Sequence, residues 1–429
     1  MSEPRSVAIV GAGIFGLSLA VALSKREHRV VVFERYRYDE THYEPDLNGN
    51  TQAASVDHNK IFRASYGSKL HYQRLAFESR AAWEKINEKR HQENDELDRS
   101  DLFSGCGMLR VQPTAELDPL ERETLSNFER DGLRDTQFTY EAVLDSTAGF
   151  TKCSEACAYF YKLALRQGVE FHFGPEKGAF DSIVEDNQSP SHLKKTVGIK
   201  TKDGIVHKAD VMAIAGSVVT FKVDKNDANL WNKYSPERFP VITWRSAPRN
   251  PSGKDTGSVY VFPRTADGLI KIGFRGIKFT NFQHAPSEAG FTQDGQWSVP
   301  LPPADSVIVL DPAREAIRKF VSIFLPEFAD KDFNSTKLCW YTDSLDNSFV
   351  IDHVPTYSGG SVFVATGGSG HGAKFLPVLG EHAADILMHG DQSSSFMRQH
   401  WRWRDRIHRG NGLEEGPDGP RNIGGSKEA

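Results

Sequence analysis

The segment SVAIVGAGIFGLSLAVALSKREHRVVVFE, residues 6–34, confines this chain to few folds. Its first five residues form the short, β-branched run of a buried strand, and Gly11-x-Gly13-x-x-Gly16 follows at once. Leu17, Ala20, Val21 and Leu23 then recur at helical spacing, and RVVVF restores the pattern of a buried parallel strand. This is one βαβ unit with a dinucleotide fingerprint. Gly11 allows the tight turn, Gly13 lets backbone approach a pyrophosphate, and Gly16 permits close helix packing, with the helix N-terminus facing the phosphates. Glu34, ending the second strand, supplies a carboxylate for a ribose hydroxyl; Ile14, Phe15 and Arg35 complete the expected contact set. An acid at this position argues against a phosphorylated nicotinamide. On these residues alone, FAD and NAD both stay open.

At 429 residues the chain exceeds what one core usually supports, so two domains, or one interrupted by another, are expected. With 52 basic against 57 acidic residues, the net charge of -5 gives no electrostatic reason for a nucleic acid or an anionic membrane as partner. Small molecules are the expected partners. Cys106, Cys153, Cys157 and Cys339 are too scattered for a disulfide framework; Cys153 and Cys157, one helical turn apart, read as packed thiols. The N-terminus lacks a signal pattern, and no window approaches ~18 uninterrupted apolar residues. The last residues, SKEA, do not read as a peroxisomal address. A soluble, cytoplasmic protein is expected.

After the βαβ unit, a polar stretch over 36–52 reads as loop, and 69–89 as a helix with Leu70, Leu75, Phe77, Trp83 and Ile86 toward the core. A helix and strand follow residue 148, a hairpin or surface loop spans 185–195, and ADVMAIAG (209–216) reads as a buried strand. Residues 239–279 are β-rich, with an Ala-Asp-Gly turn joining two strands, and 311–325 form an amphipathic helix opened by Asp-Pro. SVFVATGGSGHGAKF (361–375) is a strand running through a glycine turn into a helix. There is no internal repeat. The α/β blocks at 1–90, 148–220 and 335–395 therefore read as a discontinuous nucleotide-binding domain; 91–147 and 221–334 form an inserted β-rich α+β substrate domain, and 405–429 a flexible tail.

Four further stretches stand in order behind the fingerprint: DHNKIFRASYG (57–67), GLIKIGF (268–274), CWYTDSLDNSFVIDH (339–353) and GGSGHGAKFLPVLGEH (367–382). Together they resemble the monomeric sarcosine oxidase family of flavoenzymes, which includes the pipecolate and saccharopine oxidases and the fungal amadoriases. The resemblance runs to about residue 404. It implies an FAD-binding domain of the Rossmann-like, glutathione-reductase/D-amino-acid-oxidase type, and it decides for FAD over NAD. By the same resemblance Cys339 carries a thioether to the flavin's 8α methyl, which ties the cofactor down and raises its potential.

In the glycine turn, Gly370 and Gly372 present backbone N–H groups to the flavin's N1 and C2 carbonyl; His371 is a candidate flavin neighbour, and Lys374 is implied to bind the substrate carboxylate. Lys60 and Arg63, three apart, read as sharing one side of a helical turn. The family's sarcosine oxidases carry Arg at both matching positions, the first over the flavin, the second on the substrate carboxylate. Here Lys60 is amadoriase-like, while Arg63 keeps the sarcosine-type residue suited to a bidentate carboxylate contact. Lys271 matches the lysine that activates dioxygen, and an ammonium in so apolar a run is costly to bury without a task. Tyr260 and Phe262 align with substrate-lining aromatics.

Three departures set this chain apart. Arg275 replaces a histidine typical of sarcosine oxidases, AIAGSVV (213–219) lacks the usual Trp, and CWYTD and WRWR (401–404) are amadoriase-like. The implied activity is an FAD-dependent oxidase of the C–N bond of an N-substituted α-amino acid, an N-methyl, pipecolate-like or saccharopine-like amine. Dioxygen is the co-substrate, an imine and hydrogen peroxide the products, and the protein a monomer. The alternatives are a fructosyl amino acid oxidase, an oxidative cyclase of secondary metabolism or, from another class, an NAD(P)H-linked flavin hydroxylase or dehydrogenase.

Overall fold

A computed structural model describes residues 4–45, 53–92, 100–114, 116–132, 137–139, 142–185, 196–205, 215–247, 257–284, 296–340, 342–404, 418–419 and 421–423. Strand β1 (Ser6–Val10) pairs in parallel with β2 (Arg29–Glu34), Val10 opposite Phe33, and β2 pairs in parallel with Glu170–Phe173. The connecting helix α1 (Ile14–Ser24) is buried from Leu17 through Leu23. A helix apolar on all sides needs cover on all sides. The helices Cys153–Arg166 and Leu376–His389 supply it. At the second crossing a Cβ on Gly380 would stand 1.9 Å from the Ser18 carbonyl oxygen, so only glycine fits. Ser18 Oγ closes the joint, donating to Leu376 O at 2.6 Å and accepting from Gly380 N at 2.7 Å.

The second domain is an eight-stranded, largely antiparallel sheet. Its order is Ser335–Trp340, Ala215–Lys222, Leu269–Phe279, Ser258–Val261, Val241–Trp244, Met108–Val111, Ala142–Asp145, Gln137–Thr139. The Asp311–Phe324 helix lays Ala313, Ile317, Phe320 and Val321 on one face of it, in a core shared with Val259, Val261, Ile270 and Ile272. A separate core gathers Ile9, the α1 residues, Trp83, Phe160, Phe349 and Trp401. The two largest cores are thus distinct, and this one is assembled from distant segments. Both Ala215–Lys222 and Ser335–Trp340 hydrogen-bond into the large sheet, so the segments assigned by sequence to the nucleotide domain up to 220 and from 335 end and begin inside substrate-domain strands. Ladder pairing, which local periodicity does not report, draws them there.

Other local readings are corrected. Lys60 lies in strand β3 (Asn59–Phe62), antiparallel to Gly149–Lys152, and not in a helical turn. Four residues, two polar followed by two apolar, fix no period, and a partner strand decided for extension. The polar loop after residue 35 contains a helical turn, Tyr38–Thr41, and buries Tyr38 and Tyr43 as a stacked pair 4.1 Å apart. The long helix Leu70–Gln92 buries Leu75 and Trp83, but Leu70 is exposed. Strand 209–216 is described only at Ala215 and Gly216, and the tip of the 185–195 hairpin lies outside the described residues, although Phe180–Glu185 and Thr196–Thr201 do pair as its arms. Within the expected flexible tail, Arg421 O accepts from Thr280 N at 3.0 Å and Ile423 N donates to Thr280 O at 2.7 Å. No described helix is long and apolar enough to cross a membrane.

Candidate active site

A cavity of about 630 Å³ runs from the first glycine turn to the sheet of the second domain. Gly11, Gly13, Ile14, Phe15, Gly16 and Arg35 border one end; Lys60, Cys339, Gly370 and Gly372 border the rest. Gly11 holds φ +96°, and a Cβ on Gly13 would press Ser55 Oγ at 2.9 Å. Helix α1 begins at the cavity without a side-chain cap, leaving its first backbone N–H groups for an anion. A Cβ on Gly372 would meet Phe15 at 2.9 Å. Bare backbone on both walls and an uncapped helix suit a long, flat dinucleotide. The residues present fit FAD.

Glu34 is not part of this wall. Its carboxylate accepts from Ala12 N and Tyr36 N, both at 2.9 Å, and so holds the glycine turn onto β2. Burial raises its pKa, against the pull of those two N–H donors.

Strand alternation brings the chemistry onto one sheet face. Lys271, Gly273 and Arg275 alternate along one strand, Tyr260 pairs with Gly273, and Lys271 pairs with Thr220, itself opposite Ser335; Cys339 lies four residues beyond Ser335 on the same face. Tyr260 fills the space a side chain at Gly273 would need, its hydroxyl 2.2 Å from such a Cβ. Phe262 packs edge-on to Tyr260 and lies 5.2 Å beneath the Lys271 ammonium. Burial pushes the Cys339 thiol up.

Opposite Lys271 sits a residue that motif reading passed over. Asp57 accepts from Lys271 Nζ at 2.6 Å and 2.5 Å and from Lys60 Nζ at 2.5 Å, and Lys271 spends its last N–H on Asn59 O at 2.7 Å. Burial opposes the Asp57 charge, but the two ammoniums hold its carboxyl well below the ordinary range. Burial also works against both lysines. Lys60, a quarter exposed, is nonetheless raised by Asp57, whereas buried Lys271, which also feels Lys60, stays lowered.

The third cluster surrounds Tyr66. Lys374 Nζ donates to Tyr66 OH at 3.2 Å and to Arg63 O at 3.3 Å; Lys374 and Arg63 stand 5.0 and 4.8 Å from the Tyr66 ring centre. The Arg63 guanidinium also donates to Ser65 O. His371, expected beside the flavin, lies behind the cavity wall: Nε2 donates to Asn347 O at 3.0 Å and Nδ1 accepts from Tyr66 OH at 3.0 Å. Burial and the Lys374 charge push its pKa well down, which fits this neutral tautomer. Burial, then Arg63 and Arg275, lower Lys374 strongly. Its carbonyl is fixed from the Leu70–Gln92 helix by Ser79 Oγ and, at 2.8 Å, by Trp83 Nε1. Arg275 donates to Gly370 O at 3.1 Å and Ser369 O at 3.0 Å.

Asp57 and Tyr66 both lay within a motif read for its cations alone. The signal for Asp57 was faint, since its partner Lys271 is 214 residues away.

A family profile described as DAO, FAD dependent oxidoreductase, matches residues 6–386. Among curated proteins, the L-saccharopine oxidase of Schizosaccharomyces pombe is 27% identical, covering 94% of this chain and 93% of its own. A monomeric sarcosine oxidase of Bacillus sp. (strain NS-129) is 24% identical, covering 91% and 94%. In fold, the chain is similar to the fructosyl peptide oxidase from E. terrenum, with a TM-score of 0.73 at 22% identity over 95% of this chain and 94% of that one. Amadoriase I from Aspergillus fumigatus superposes with a TM-score of 0.69 at 21% identity over 94% and 90%.

Proposed function

Because the chain belongs to the DAO family of FAD dependent oxidoreductases, we propose that it oxidises the C–N bond of an N-substituted α-amino acid, with dioxygen as acceptor and FAD tethered through Cys339. Relatives named for saccharopine and sarcosine oxidation support the substrate class. The observation that carries the reading is the pair Arg63 and Lys374, two cations around one tyrosine with no carboxylate among the described residues bound to either. A substrate carboxylate completes them.

FAD, when bound, supplies the two-electron acceptor for the amine carbon and the route by which electrons reach dioxygen. The chain's residues do the rest. Arg63 and Lys374 hold the carboxylate and thereby orient the amine; Tyr66, through its hydroxyl, keeps Lys374 Nζ in place. Tyr260 and Phe262, packed edge-on to each other beside Lys271, keep the surroundings of that ammonium apolar. Lys271 brings a positive charge to the chamber where dioxygen is reduced, and Asp57 holds that ammonium in position. Lys60 borders the cavity beside Cys339 and serves as the cation over the cofactor. The imine product is hydrolysed by water. The protein acts as a cytoplasmic monomer, a state that light scattering of the purified enzyme checks and a location that cell fractionation checks.

The test is a peroxide assay with sarcosine, pipecolate, saccharopine, fructosyl-valine and fructosyl-lysine, run beside an acid-denaturing gel. Peroxide from the secondary amino acids, and flavin fluorescence that stays with the wild type but leaves Cys339→Ala, are expected. Peroxide only from fructosyl amines selects an amadoriase. Flavin bleaching by NAD(P)H without amine turnover rejects the oxidase.

A further inference from the structure

An ammonium carries three N–H donors, and Lys374, buried beside the cavity, spends two of them, on Tyr66 OH at 3.2 Å and on Arg63 O at 3.3 Å. Two fixed bonds on a tetrahedral nitrogen set the direction of the third. Among the described residues that third donor meets no acceptor. The Lys374 carbonyl is held from behind by Ser79 Oγ and Trp83 Nε1, so its backbone is fixed as well. What remains to be fixed is the Tyr66 hydroxyl, which can rotate.

His371 fixes it, and the direction of each bond follows in turn. A carbonyl oxygen only accepts, so the 3.0 Å contact with Asn347 O puts the neutral ring's proton on His371 Nε2. Nδ1 is then a lone pair, and it takes the Tyr66 hydroxyl proton at 3.0 Å. With its one proton spent, the Tyr66 oxygen shows Lys374 lone pairs alone. An imidazolium would reverse the chain: a protonated Nδ1 donates, and the hydroxyl turns its own proton toward the ammonium. Burial first, then the charges of Lys374, Arg275 and Arg63, work against that form, and the bond to Asn347 O offsets them only in part. Asp145, whose Oδ2 is buried without a partner among the described residues, adds a negative charge that favours the Lys374 ammonium. Packing holds the imidazole plane: it stacks on Phe349 with ring centres 4.8 Å apart and stands edge-on to Tyr72 at 5.1 Å.

We propose that His371 is a positioning residue for substrate binding: acting through the Tyr66 hydroxyl, it aims the free N–H of Lys374 at the substrate carboxylate. The proposal rests on the carboxylate site read above, and goes beyond it by assigning the alignment of that site to a residue set behind the cavity wall.

The test needs no turnover. S-methylthioglycolate, a carboxylate with sulfur where the substrate has nitrogen, is titrated calorimetrically into the holoenzyme. Tyr66→Phe is expected to weaken binding about tenfold and His371→Leu about fivefold. The double variant is expected to stay within about twofold of Tyr66→Phe, because the histidine acts only through the tyrosine. His371→Asn carries its amide on the Cγ that bears Nδ1, so it keeps an acceptor for Tyr66 and is expected to bind within about twofold of wild type. His371→Gln places its amide where Nε2 was and is expected to behave like His371→Leu; a role in packing alone would not separate the two amides in that order. Wild-type affinity in His371→Leu, additive losses in the double variant, or an Asn variant as weak as Leu each overturn the role of His371. Where a histidine variant does not fold, Tyr66→Phe decides, and wild-type affinity there overturns the chain. A wild type that binds no thioether overturns the carboxylate site and the alignment with it. The expected pattern without peroxide from any secondary amine keeps the role of His371 and rejects the oxidase.

Discussion

Asp57 is held by two ammoniums, and each depends on it. Removing one partner of a buried ion pair leaves an uncompensated charge, a cost of about 3–5 kcal/mol. Asp57→Asn is therefore expected to lose about 3 kcal/mol of stability in denaturant unfolding, and Asp57→Asn/Lys271→Met to regain at least half of it, because the double change also removes a stranded charge. A single mutant as stable as wild type rejects this balance. The pH sign follows from the depressed Asp57 carboxyl. Its stabilisation is complete above the unfolded pKa of about 3.9 and is lost as pH falls through the lower folded value. Acid unfolding of Asp57→Asn should lack that component. Lys271 was legible as an ammonium too costly to bury idly; Asp57 was not, because nothing local distinguishes it from an acid preceding a strand.

At the scale of elements, the site depends on α1 lying hard against the Leu376–His389 helix, since one opens the cavity with its N-terminus and the other follows the loop that carries Gly370, Gly372 and Lys374. Gly380→Ala drives a methyl into the Ser18 carbonyl. Overpacking there is expected to cost about 1–3 kcal/mol or more and to lower flavin content on purification; unchanged thermal unfolding and full flavin content would show that the helices have room to shift. A second element contact responds to pH. His71, on the Leu70–Gln92 helix, stacks on His400 at 3.6 Å, and burial, then His400, lower its pKa to about 4. With the folded value below the unfolded 6.5, the unfolded state binds more protons between pH 4 and 6.5, so stability rises with pH across that window and is complete above it. His71→Gln is expected to flatten that slope, by an amount that its partial exposure keeps small.

For the whole molecule, the first core joins residues as distant as Ile9 and Trp401. A fragment ending at residue 334 would keep α1 and the Cys153–Arg166 helix but lose the second helix that covers α1, exposing the side that meets Leu376–His389. It is expected to aggregate and to bind no flavin, whereas adding residues 335–404 as a separate chain should recover soluble protein. A soluble, flavin-binding 1–334 fragment would mean that the discontinuous core is not required. The substrate sheet is likewise closed by Ser335–Trp340, which sets Cys339 at its cavity-facing edge.

Sequence by itself determined the parts that depend on neighbours along the chain. Gly11, Gly13 and Gly16 must turn where a strand meets a helix, the β-branched runs at 6–10 and 29–33 must extend, and Asp311–Phe324 must be an amphipathic helix, because sterics and a repeating apolar stripe act over a few residues. Tertiary structure decided what depends on pairing at a distance. Lys60 lies in a strand because Gly149–Lys152 offers it a ladder, and residues 215–222 and 335–340 join the substrate sheet by the same kind of bond. Asp57 faces Lys271, and Lys374 reaches both Tyr66 and Arg63, only because segments far apart in the chain meet in space. Charge and hydrogen bonding act through space, and a linear chain records which groups are present without recording which of them meet.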